Sequence, residues 1–209
     1  MAAEFSKPTH YWGDKFDSFE GGVDPASILR TARETAHALL ERGRASDDPD
    51  VIERLVTYTD EHGIDAIAEL WARSSARSLP GALWRIYLLR LVIRQDREGT
   101  AFLFQRGAER LSSIDTVIAG APSPTGPDEI IELADRILRG AFTGDFAIAL
   151  DRAASFARIL AAGCTSLADD ADPVDAARAT ELTLRASRYA LTADELTACA
   201  RLHRADSLD

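Results

Sequence analysis

Apolar residues recur every three or four positions along almost the whole chain after residue 24. No stretch alternates apolar and polar residues for long. The pattern predicts an all-α protein, a nine-helix bundle around a buried central helix, with an irregular N-terminal arm. The first helix is expected over about 25–42, with Ile28, Leu29, Ala32, Ala36, Leu39 and Leu40 on its inner face. Helices over 49–62 and 64–75 follow, the former turning Ile52, Leu55 and Val56 inward. The stretch LPGALWRIYLLRLVIRQ, placed at about 80–96, is apolar nearly all round, which predicts a column surrounded by other helices. Trp84 and Tyr87 within it are expected to be buried with their polar atoms hydrogen-bonded. A fifth helix is expected from after Thr100 to about Ala119, kinked near Gly107. The last four are expected over 127–142, 145–162, 173–190 and 193–205.

The breaks between these segments have a chemical basis. Asp-Pro pairs at 24–25, 48–49 and 172–173 each precede a helical pattern. Aspartate accepts hydrogen bonds from the free amides of a first turn, and proline has no amide to leave unpaired there. Thr192 and Glu195 have the spacing of a capping box. Gly43, Gly63, Gly144 and Gly163 fall where helices should end. GAPSPTGP, residues 120–127, holds three Pro and two Gly and marks a lobe boundary. The expected organisation is an aromatic arm (1–24), a helical lobe with the central helix (25–119), the linker (120–127) and a second helical lobe packed on the first (128–209).

Composition sharpens the partner classes. The 209 residues carry a formal charge of −10, which repels phosphate backbones at long range. Nucleic acid is thereby disfavoured as a partner, though it stays open. MAAEFSKP has no apolar core of a secretory leader, and the longest apolar run is interrupted by Arg90 and too short to cross a bilayer. Cys164 and Cys199 lack metal or redox spacing. A cytoplasmic chain with reduced thiols and no membrane contact is expected. The first 20 residues hold five of the 15 aromatics, so Tyr11, Trp12, Phe16 and Phe19 are partner-binding candidates.

No arrangement of residues names a reaction. Glu34 and His37 form a single ExxH, whereas di-iron bundles need two plus further carboxylates. The acidic runs at 47–50 and 169–175 read as helix caps, and Glu129, Glu132 and Asp135 as a solvated face. No nucleophile elbow, phosphate loop or dinucleotide fingerprint is present. No catalytic residue, metal ligand or cofactor is expected. Arginine provides the one asymmetry. Residues 73–110 hold eight Arg against three acids, +5 in a chain of −10. Arg73, Arg77, Arg90, Arg94 and Arg97 are the anion-binding candidates, since guanidinium forks match carboxylate and phosphate. The alternative is internal pairing with the acidic stretch 47–65.

SLPGALWRIYLLR resembles a phrase shared by uncharacterised all-helical proteins of actinobacteria, a resemblance that implies no activity. ILRGAFTGDFAIALDRAASF resembles one tetratricopeptide hairpin through Gly144, Asp145, Phe146, Ala149 and Leu150, and implies a helical hairpin there. IDAIAELWARSSARSLPGALWRIY resembles the helix-turn-helix of tetracycline-repressor-type regulators. Its second helix would be too apolar to read bases, and its connection is several residues too long. The expected function is a non-catalytic protein–protein interaction or scaffold module, by partner binding or self-association. The alternatives are a regulator binding an anionic ligand or nucleic acid through residues 73–110, and a metal-dependent enzyme.

Overall fold

The structure, a computed structural model, describes residues 24–45, 70–111, 114–121 and 125–209. The arm residues Tyr11, Trp12, Phe16 and Phe19, the expected helix 49–62 and most of 64–75 lie outside these. Every regular element among the described residues is helix: α1 (Pro25–Ala45), α2 (Leu79–Gln95), α3 (Arg97–Arg110), α4 (Asp115–Ala119), α5 (Pro127–Thr143), α6 (Phe146–Ala171) and α7 (Ala176–Arg204).

Local chemistry sets the boundaries. Asp24 accepts from the Ala26 amide at 3.1 Å and opens α1. Ser78 caps α2 through the Gly81 amide, with Pro80 in the first turn. Asp96 accepts from the Gly99 amide at 2.9 Å, so α3 starts directly behind α2. Gly144 ends α5 and Asp145 caps α6 through the amides of Ala147 and Ile148, as the hairpin expectation required.

Five boundary expectations are corrected. The expected helices 173–190 and 193–205 are one continuous helix, so the count of nine is not reproduced. Thr192 does not cap: its hydroxyl donates to the Arg188 carbonyl one turn back, as mid-helix threonines can. The cap of α7 is Asp175, which accepts from the Arg178 amide at 2.9 Å, and Asp172 instead ends α6. The expected fifth helix divides into α3 and α4, and α6 runs nine residues past its expected end.

A second helix shares the centre with α2. α6 packs against α2, α3, α4, α5 and α7. Its buried residues are mostly small: Ala147, Ala149, Ala153, Ala154, Ala157 and Gly163 among them. Small side chains let neighbouring backbones approach, and so they place a helix at the centre as effectively as leucines do. α2 in turn packs against α1, α3, α5, α6 and α7, and buries Leu79, Leu83, Ile86, Leu89 and Ile93 among them. Trp84, Tyr87, Leu88 and Val92 are half-buried rather than buried, with Trp84 packed against the core.

Gly107 and Gly163 are neither a kink nor a stop. Both lie inside helices, at the crossing of α3 and α6. A Cβ on Gly107 would sit 1.9 Å from the Ile159 carbonyl oxygen, and one on Gly163 would sit 2.0 Å from that of Leu103. Phe104 and Phe156 stack beside this crossing with centroids 5.4 Å apart.

One apolar cluster runs from Ala32 in α1 through α2, α3, α5 and α6 to Leu208, drawing on residues from both sides of 120–127. α1 contributes Ala32, Ala36 and Leu40, whereas Leu29, expected on this face, is exposed. Trp71 is buried and donates from Nε1 to the Thr35 hydroxyl at 3.3 Å. The residues after α7 turn back, and the Leu79 amide donates to the Asp209 carbonyl at 2.7 Å. No helix among the described residues is long and apolar enough to cross a membrane.

Candidate functional site

α2 brings together two features singled out by the sequence: the apolar helix bearing Trp84 and Tyr87, and the middle of the arginine run. Trp84, Tyr87, Leu88 and Leu91 follow i, i+3, i+4, i+7 spacing and so share one face. Trp84 and Tyr87 stack with centroids 5.8 Å apart, and Leu91 is 37% exposed. The buried face of the same helix holds α2 to the core, so the stripe rests on a rigid element.

The arginines are largely engaged inside the molecule. Arg90 is only 3% exposed, and its Nε donates to Asp135 Oδ1 of α5 at 2.7 Å. Arg94 reaches the other oxygen of the same carboxylate at 3.3 Å. Two turns nearer the start of α5, Asp128 meets Arg97 at 3.5 Å, both side chains well exposed. Arg85 pairs with Glu195 of α7, Arg106 with Asp170, and Arg110 with Asp169 at 2.8 Å.

The sequence therefore located the cations and missed these partners. The acidic stretch 47–65, expected to supply them, lies outside the described residues. Asp135 is not part of a solvated face: it is 14% exposed and joins two arginines. Of its two expected companions, Glu129 accepts from the Gly126 amide and Glu132 pairs with Arg136. Asp169 and Asp170 serve as ion-pair partners rather than caps. Arg73 and Arg77 are exposed, in the turn before α2, and make no ion pair with a described residue. The five anion-binding candidates thus divide: Arg90, Arg94 and Arg97 bind α2 and α3 to α5, and Arg73 and Arg77 face water.

Nothing else in the described region gathers reactive groups. Glu34 and His37 are exposed on α1, and no group of three or more His, Cys, Asp or Glu among the described residues could hold a metal ion. Between α2, α5 and α6 lies a cavity of about 10 Å³, lined by apolar side chains and Arg90. That volume suits one water at most, and a water needs two or more polar partners. Arg158 ties α4 to the core by donating to Asp115 at 2.8 Å and to Thr197 at 3.1 Å. The role of this network is structural.

Both cysteines are free and fully buried. The Cys199 thiol donates to the Ala76 carbonyl at 3.4 Å, and burial pushes its pKa up to about 11. Burial also raises Cys164, against the opposing fields of Arg185 and Arg178, and raises Tyr189, whose hydroxyl accepts from Arg185. Such thiols are poor nucleophiles.

The sign of the linkage follows. The unfolded chain gives up the Cys199 proton near the ordinary value of 9, the folded chain only near 11. This contribution to stability is complete below pH 9 and is lost as pH rises from 9 to 11, by on the order of 2–3 kcal/mol. The melting temperature should fall across that window, and Cys199→Ala should flatten the fall. The native protein should also leave both thiols unlabelled by a thiol reagent at pH 8 until denaturant is added.

No protein-family model matches this chain, and no curated protein or solved structure matches it either.

Proposed function

We propose that this chain is a non-catalytic helical module, cytoplasmic, that works by binding another protein. Its contact surfaces are the α2 stripe of Trp84, Tyr87, Leu88 and Leu91 and the N-terminal segment bearing Tyr11, Trp12, Phe16 and Phe19. The reading rests on one observation: α2, a helix with no acidic residue, leaves Tyr87 and Leu88 half-buried and Leu91 exposed beside Trp84, which packs against the core, while its arginines are engaged with acids of α5 and α7. Stacked aromatics on a rigid helix supply large contact area at small entropic cost, the usual makeup of an interface centre.

The competing reading, an anion-binding regulator, draws on Arg73 and Arg77. It predicts binding that weakens steeply with salt and is lost in an Arg73→Glu/Arg77→Glu double variant. Apolar docking on α2 predicts little salt dependence.

The test compares proteins recovered by cross-linking from cells that produce the full chain, the Leu91→Glu variant, or a chain starting at Asp24. One protein, or a second copy, should fall at least about tenfold in both variants, a loss of about 1.4 kcal/mol of binding. The melting temperature of Leu91→Glu should stay close to wild type, because Leu91 lies off the core. Unchanged recovery in both variants contradicts the proposal.

A further inference from the structure

We draw no further inference here: the strongest candidate outside the α2 stripe, the outward face of α7 carrying the exposed Leu184 and Leu191, is an unpartnered apolar surface, and nothing in the structure shows what covers it.

Discussion

Asp135→Ala is expected to destabilise the fold by about 3 kcal/mol or more, because it strips the carboxylate from an arginine that is 3% exposed. Desolvating a guanidinium is costly, and removing one partner of a buried pair leaves that cost uncompensated. Asp135 also anchors Arg94, so two cations of α2 lose their link to α5 together. In a chain of this size the melting temperature should drop by about 6–12 °C. The control is the double variant Arg90→Met/Asp135→Leu. It removes both charges and keeps apolar volume, and replacing a buried pair in this way is often neutral or stabilising. Recovery of stability in the double variant identifies the broken Arg90–Asp135 charge pair as the cause. An Asp135→Ala loss below about 1 kcal/mol would contradict a stabilising role for this pair.

The second large effect is expected at the crossing of α3 and α6. Gly107→Ala and Gly163→Ala should each cost about 2–3 kcal/mol, since the new Cβ would meet a backbone oxygen at 1.9 or 2.0 Å and the helices must separate. Helix propensity alone predicts the opposite sign, a gain of about 1 kcal/mol per glycine replaced. The sign therefore decides which effect governs. Separation forced by one alanine makes room for the other, so the double variant should cost clearly less than the two single losses added. Denaturant midpoints of the four proteins measure this directly.

These two cases mark where the sequence was readable. Starts that depend on a neighbouring residue, such as Asp24–Pro25 and Asp145 behind Gly144, could be placed because a cap acts within four residues. What depends on distant residues could not. Gly163 has the local signature of a stop, since a glycine inside a helix looks like an end until Leu103 of α3 is seen beside it. The capping-box spacing at Thr192 predicts a break in α7 because it is local, whereas the packing that carries the helix through, with Ala193 and Leu196 buried against the core, is not.

The candidate site was legible in the same way. The periodicity of α2 showed an apolar helix and its arginines. It did not show that α6, built from alanines, shares the centre with α2, or that Leu91 is left exposed. Nor did charge counting find Asp135, Asp169 and Asp170 as the acids that engage those arginines, because ion-pair partners 41 to 64 residues apart leave no local signal.

The most direct test of the central claim places a photo-activated cross-linking residue at position 91 in the full chain, irradiated in the cells that produce it. The account predicts a covalent adduct heavier than the chain by a second protein, whose peptides map to residue 91 and its neighbours on the stripe. Adducts formed only within the chain, with no second polypeptide captured, would contradict it.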